Sequence, residues 1–527
     1  MSPRQCRRDR TPPELTLDKR FASALGILTA AAHLAVSWRY GYYRDELYFI
    51  ACAKRLAWGY ADMPPLTAFV SWLAAPAHYE LAALRFTVAI AAGITAYLAC
   101  AIAAELGGSL WAQRLAALTV ALTPAYLFLG TTLTTTSYEP LTWALAIYAA
   151  MRLVRSRDPR WWIAIAGAVT FGLYGKYSMF LLAAAVLAAL LFTPERAVLR
   201  TRAFALAALA TLAVLAPNLW WQAAHAFPML AVLRGDVLGR HAFNSGMQFE
   251  FRQPLVNAGV FFLEQLAFAN PVAAPIWIAG TIALFRVPDL RRYRFIAIAF
   301  VLLLAAAVLL NGKGYYIAGV YTPLICAGWV ALERFWIARP AWRALAAGAV
   351  LVSAGLLAPF TIPVLSAPGL IGYSKLLGIT GRNGAPAHLV QPLFADEFGW
   401  SGLARSVAGV YDQLPPGERR RTALFSDTYA GAAAIEFYGP QYGLPQPISA
   451  QNQYYLWGTG GYDGSSVLAI GASQADLLHV LFRHVVLAGT FVDPLRWAIE
   501  GPTPIFLCTQ PVAPLKDLWP RLRWYGA

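Results

Sequence analysis

Charge is what this chain of 527 residues has least of: Asp, Glu, Lys and Arg together make up 13% of it, about half the ~25% share of an ordinary soluble protein. With 58% hydrophobic residues and a mean hydropathy of +0.51, that scarcity excludes a string of soluble domains, a disordered chain, a coiled coil and a collagen-like repeat. Cysteine is also sparse. The five residues (Cys6, Cys52, Cys100, Cys326 and Cys508) include no C-x-x-C pair, so neither a zinc ribbon nor a disulfide framework is supported. There is no G-x-S-x-G and no Walker sequence, which argues against a serine hydrolase and an ATP-driven pump. His, Asp and Glu nowhere fall at metal-ligand spacing, so no metal and no cofactor is expected.

Acidic residues are the scarcer sign, 27 against 42 basic ones, leaving a formal charge of +15. Their placement argues against a nucleic-acid partner. The basic residues gather between apolar runs: Arg4, Arg7, Arg8, Arg10, Lys19 and Arg20, then clusters at 152–160, 196–202, 286–294 and 334–343. Runs able to cross roughly 30 Å of hydrocarbon lie at 21–38, 82–105, 113–130, 137–153, 203–221, 294–310, 315–332 and 341–359. The stretch 161–193, interrupted at Gly175-Lys176, reads as a hairpin of two spans. The stretch 255–286, broken at Asn270-Pro271 and Pro275, reads as one span preceded by a surface or re-entrant helix. The expected total is eleven. With a cytoplasmic N-terminal arm, every basic cluster then falls on the cytoplasmic side, as the positive-inside rule requires.

The expected organisation is a cytoplasmic basic arm (1–20), a mostly α polytopic transmembrane bundle (21–359) and an extracytoplasmic soluble α/β domain (360–527), in a plasma (inner) membrane. In the last part Lys+Arg balance Asp+Glu and runs of spanning length vanish. Short β-rich runs (Ala423 to Ser426, Ser466 to Gly471, His484 to Leu487, Pro504 to Cys508) alternate with helical stretches (Gly399 to Tyr411, Gln474 to Phe482). The Gly-rich WGTGGYDG (Trp457 to Gly464) lacks the strand–turn–helix spacing of a nucleotide fingerprint and reads as a loop.

Chemistry is expected on the outer face, first of all in the outer loop 39–81. Three carboxylates, Asp45, Glu46 and Asp62, stand there among aromatic residues directly after a span. Asp45-Glu46 opens a helix and Pro64-Pro65 closes the segment before the next apolar stretch. A carboxylate at a helix start is kept ionised by the backbone N–H groups and able to accept a proton. The plain alternative is an interfacial amphipathic helix with Arg44, Lys54 and Arg55 on lipid headgroups.

RDELYF followed by YADMPPL resembles the first extracytoplasmic loop of GT-C-type membrane glycosyltransferases, the protein mannosyltransferase and aminoarabinose transferase superfamily (bacterial glycosyltransferase family 39). TTTSYEPLTWAL (Thr134 to Leu145), YGKYSMFLL (Tyr174 to Leu182), NLWWQAAHAFP (Asn218 to Pro228) and NGKGYYIAGVYTPL (Asn311 to Leu324) agree with it in order. EFGW, EFYGPQYGLP and YYLWG in the last domain are similar to the outer domain of bacterial members. The resemblance implies a polyprenyl-phosphate-sugar donor, Asp45 as the base for the acceptor hydroxyl and Glu46 as its catalytic neighbour, tuning charge or orienting the acceptor. Asp62, Pro64 and Pro65 match a D-x-P-P turn in which histidine commonly replaces Met63, and Glu139 stands before Pro140 where relatives usually carry aspartate.

A donor of this kind holds its phosphate at headgroup level, where Lys313 between two glycines, Tyr315 and Tyr316, and Lys176 beside Tyr177 would meet it. A lysine snorkelling at a helix end is the plain alternative for both. His225 matches the family motif, and beside Trp220 and Trp221 it also fits an interface anchor. The expected activity is transfer of a sugar to a hydroxyl on a lipid, glycan or protein, by an inverting single displacement. A transporter or lipid flippase, with the loop carboxylates in proton coupling, is the main rival, and a non-catalytic scaffold is the second. Spans free of central charge favour an enzyme.

Overall fold

The computed structural model describes residues 16–237, 254–310, 312–336, 340–379, 392–471, 475–496 and 502–526. Most of the arm 1–20, part of the loop 222–254 and Asn311 lie outside them. Helices occupy each apolar run: α1 (Lys19–Val36), then α2 (Arg44–Ala53) and α3 (Leu66–Leu73) in the first outer loop, α4 (Leu81–Glu105), α5 (Leu110–Ala121), α6 (Pro124–Thr131), α7 (Glu139–Ser156), α8 (Trp161–Gly175), α9 (Ser178–Leu191) and α10 (Arg202–Ala224). There follow α11 (Pro228–Val237), α12 (Pro254–Phe268), α13 (Ala274–Arg286), α14 (Arg294–Leu309), α15 (Tyr321–Ala331) and α16 (Pro340–Leu357).

Among the described residues five stretches are long and apolar enough to cross a membrane alone, built on α4, α10, α14, α15 and α16. Three bent pairs bring the number to eight: α5 with α6 at 60°, α9 with the short helix after it at 118°, and α12 with α13 at 93°. The eleven expected spans also include α1, α7 and α8. The first two carry charge at their ends (Lys19 and Arg20; Glu139, Arg152 and Arg155), and α8 has only 15 residues. All three pack in the bundle, α1 against α4, and α7 against α4 and α8. Small residues allow the closest approaches. A Cβ on Gly26 of α1 would stand 2.8 Å from the Gly93 carbonyl oxygen of α4, and Gly280 and Gly328 bring α13 and α15 together in the same way.

Described residues of the basic clusters at 152–160, 286–294 and 334–343 meet around the turn between α4 and α5. There Glu105 meets Arg155 at 3.0 Å, Arg152 at 3.8 Å and the Tyr293 hydroxyl at 2.9 Å. Arg334 donates to the Gly107 carbonyl, and Arg114 pairs with Asp18 at 2.7 Å. The other end holds α2, α3 and the last domain, with Trp38, Trp58, Trp72 and Trp220 exposed. Tryptophans in such positions mark a membrane–water interface.

The last domain adds α17 (Ala367–Leu376), α18 (Pro392–Ala395), α19 (Trp400–Tyr411), α20 (Pro416–Arg419), α21 (Tyr429–Tyr438), α22 (Asn452–Trp457), α23 (Ala475–Leu481) and α24 (Leu515–Leu522). Its strands are β1 (Thr422–Ser426), β2 (Ser466–Ile470), β3 (Phe482–Phe491) and β4 (Thr503–Pro511), in the order β1-β2-β4-β3. β1 and β2 are parallel; the other pairings are antiparallel. Alternate residues sort to two faces, as the strand period demands. Leu424, Leu468 and Ile505 face one core, while Ala423, Phe425, Val467 and Cys508 face the other with α23 and α24. The first core continues into the outer loop: Leu47, Tyr48 and Ile50 of α2 share it with Val407, Ala433 and Tyr454. The loop is thus the floor on which the last domain sits.

Candidate active site

The two adjacent acids at the start of α2 have opposite surroundings. Glu46 is 0% exposed. Its Oε2 accepts from the backbone N–H of Tyr43 at 2.8 Å, the reach-back of a capping box. Arg85 of α4 binds both its oxygens, Nε and Nη2 each at 2.7 Å, and the Leu133 N–H adds a further bond at 2.9 Å. Arg85 also donates to the carbonyls of Ser37 (2.6 Å) and Gly41 (3.1 Å) and meets Glu397 Oε2 at 3.5 Å. Both its oxygens are thus engaged from inside the protein, a setting that suits a positioning group. Burial pushes the Glu397 carboxyl up to about 8, against the lowering pull of Arg85 and with the raising charge of Glu46.

Asp45, one residue earlier, points out of the helix with its side chain 27% exposed. Its Oδ1 accepts from the Tyr429 hydroxyl at 2.6 Å, and Arg44 Nε lies 3.5 Å away while also facing Asp396 at 3.3 Å. Tyr429 is the first residue of α21, held by its backbone N–H to Gln451 Oε1 at 2.7 Å.

Asp62 stands in the turn before α3, where Tyr60 N bonds Met63 O at 3.1 Å and the buried Pro64 and Pro65 lead into the helix. Its oxygens accept from Tyr48 (2.7 Å) and Asn452 (2.9 Å). Burial raises its carboxyl to about 7; the nearby Asp45 charge adds to the rise, and the two hydrogen bonds oppose it. Met63, in the place where histidine was expected, is buried and accepts from Thr67.

Cations approach from the bundle side. Lys176, between α8 and α9, donates to Thr136 Oγ1 at 2.7 Å and lies 4.7 Å from each of the Tyr315 and Tyr316 ring centres. Lys313, half-buried, opens the short helix that carries those tyrosines, and a Cβ at the following Gly314 would overlap the Glu264 carboxylate. Tyr315 in turn lies close enough to Tyr43 to enter its electrostatic surroundings, together with Asp45 and Arg44. Asp45, Lys176 and the Lys313 loop are therefore gathered at one end of the protein.

The remaining expected residues fall into two groups. Glu139 is buried at the first turn of α7, accepting from the Ser178 hydroxyl beside Lys176, and its Oε2 has no hydrogen-bond partner among the described residues. Tyr177 donates to Asn218 at 2.8 Å; Asn218 and Gln222 donate to the carbonyls of Trp58 and Tyr60, strapping α10 to the outer loop. Tyr177 is thus part of that strap. His225 stacks on Trp221 at 4.0 Å with Nδ1 2.8 Å from the Trp221 carbonyl, at an exposed helix end. That exposed position beside Trp221 also fits an interface anchor.

Sequence reasoning missed Arg85, Tyr429 and Asn452. Arg85 falls inside the apolar run 82–105, and the other two lie outside every motif. Glu397 was noticed only as part of EFGW. No grouping of three or more His, Cys, Asp or Glu able to hold a metal occurs among the described residues.

Residues 62–221 match the model of the dolichyl-phosphate-mannose-protein mannosyltransferase family, a stretch that includes Asp62, Glu139 and Lys176 but begins after Asp45. No curated protein matches the chain by sequence. Among solved structures, ArnT from Cupriavidus metallidurans in the apo state is similar with a TM-score of 0.57 and 15% identity, over 92% of this chain and 97% of that one. The same protein bound to undecaprenyl phosphate gives 0.56 and 13%, over the same shares. The fold is thus of the GT-C type, from the helical bundle through the C-terminal α/β domain.

Proposed function

We propose that the protein is a membrane glycosyltransferase that moves a sugar from a polyprenyl phosphate to an acceptor hydroxyl on the extracytoplasmic face. The observation that carries this reading is a solvent-reaching Asp45 carboxylate, held from two sides at a helix start, at the same end of the bundle as Lys176 and the Lys313 loop. The family match and the likeness to a protein that binds undecaprenyl phosphate support the donor class.

The step is a single displacement at the anomeric carbon. Asp45 accepts the acceptor's proton as its oxygen bonds to that carbon; the bond from carbon to phosphate oxygen breaks on the opposite side, and the anomeric configuration inverts. The released phosphate takes the electron pair. Its second pKa lies near 6, so it leaves without a proton from a second acid, unlike the leaving group of a typical glycosidase. Lys176 and Lys313, with the hydroxyls of Tyr315 and Tyr316, neutralise the charge that gathers on it.

Mass spectrometry of envelope lipids and glycans from cells with and without the gene tests the reading. A sugar that disappears, and that the wild-type chain restores while Asp45→Asn does not, supports it. Full restoration by Asp45→Asn overturns it, and an unaltered envelope profile counts for the transport or scaffold alternatives.

A further inference from the structure

The base proposed above stands on α2, yet its carboxylate takes a hydrogen bond from the last domain, 384 residues away in sequence. The Tyr429 hydroxyl donates to Asp45 Oδ1, and among the described residues no hydrogen bond reaches Oδ2. Tyr429 is held in turn. Its N–H is bonded to Gln451 Oε1, whose own amide donates to the Gly526 carbonyl at 2.9 Å; Thr428 caps the helix by accepting from Gly431 N–H; and its ring packs on Tyr48 at 4.8 Å. A rigid element thus presents one O–H to one carboxylate oxygen.

We infer that Tyr429 is the positioning residue of Asp45, fixing one carboxylate oxygen so that the other is turned to the acceptor hydroxyl, and that the outer domain is in this way a working part of the active site. The inference rests on the reading of Asp45 as the base. The phenol itself remains a donor, because burial and the Asp45 charge hold its proton well above the ordinary tyrosine range. The other groups facing Asp45 are Arg44, Tyr43 and Asp62, with Asp396 acting through Arg44; none of them is altered by Tyr429→Phe, which keeps the ring.

Two measurements on the full-length protein in lipid nanodiscs test this. In the first, carboxyls are labelled with a water-soluble carbodiimide at one fixed pH and read by peptide mass spectrometry. Tyr429→Phe, which frees the held oxygen, should raise the labelling of Asp45 severalfold while leaving that of Asp62 unchanged. No change at Asp45, or an equal change at both residues as general loosening would give, overturns the inference. In the second, with the donor and acceptor found by the envelope comparison, Tyr429→Phe should lower kcat about tenfold and leave the donor KM unchanged. A wild-type kcat overturns it. The labelling needs no substrate, so it stands even where an active Asp45→Asn variant has removed the proposed function.

Discussion

Asp45 and Glu46 are neighbours with the same chemistry and opposite lives, and the two regions they belong to divide the outer end of the molecule. The rim (Asp45, Asp62, Lys176 and Lys313) keeps its polar groups half open. The clamp beneath it (Glu46, Arg85 and Glu397) is closed, with side chains no more than 1% exposed. Successive residues on a helix point about 100° apart, so one turn of α2 supplies both. The sealed arginine with its carboxylates ties the outer loop to the bundle and the outer domain, and that fixed floor holds the open carboxylate in place. The acidic pair at this helix start thus presents one carboxylate to solvent and seals the other against Arg85.

The sharpest break in the comparison comes from exchanging charge on each side of it. Asp45→Asn should lower transfer by about 10²- to 10⁴-fold, the usual effect of removing a placed base, while the unfolding temperature stays near wild type. Arg85→Met does the reverse. It leaves the Glu46 carboxylate buried without its partner, a change that costs about 3–5 kcal/mol. Thermal unfolding in detergent should show a large loss, and a variant as stable as wild type would mean that the clamp does not tie these elements together.

A smaller effect is expected on the cationic side of the rim. Lys313→Ala should weaken the apparent affinity for a polyprenyl-phosphate donor by about tenfold, the order of one charge-assisted contact, with little change in stability because the side chain is half solvated. An unchanged donor KM would make Lys313 a snorkelling lysine and leave the phosphate to Lys176.

Much of this division was hidden in the sequence, for reasons that differ by region. The four strands of the outer domain were legible from short runs of β-branched and apolar residues: Ala423 to Ser426 and Ser466 to Gly471 fall within one residue of β1 and β2, and the other two runs lie inside β3 and β4. WGTGGYDG is mostly loop, its first residue closing α22. The helix positions in the bundle followed from hydropathy, although the bends at Leu122-Thr123 and Asn270 left the number of spans open. The site was legible only as far as local chemistry reaches. Asp45 could be singled out because a helix start gives a carboxylate a defined environment, but its distance from Glu46 in purpose depends on where Arg85 and Tyr429 arrive, 39 and 384 residues away. Those contacts are tertiary, and no periodicity reports them.

The smallest expected effect concerns the proton on the clamp. One guanidinium lies between two buried carboxylates, and Glu397, the more distant at 3.5 Å, is the one whose carboxyl rises from an ordinary 4.5 to about 8. A raised folded-state value means that the folded protein holds a proton which the unfolded chain releases. Stability from this group is therefore full below about 4.5 and declines as pH climbs toward 8. Asp62, raised to about 7, acts with the same sign over a narrower window. Wild-type protein should accordingly unfold at a lower temperature at pH 8.5 than at pH 5.5, and Glu397→Gln, which keeps the shape but has no proton to lose, should make the decline shallower without abolishing it. A decline as steep in Glu397→Gln as in wild type would assign the pH dependence to the rim and leave the clamp electrically silent.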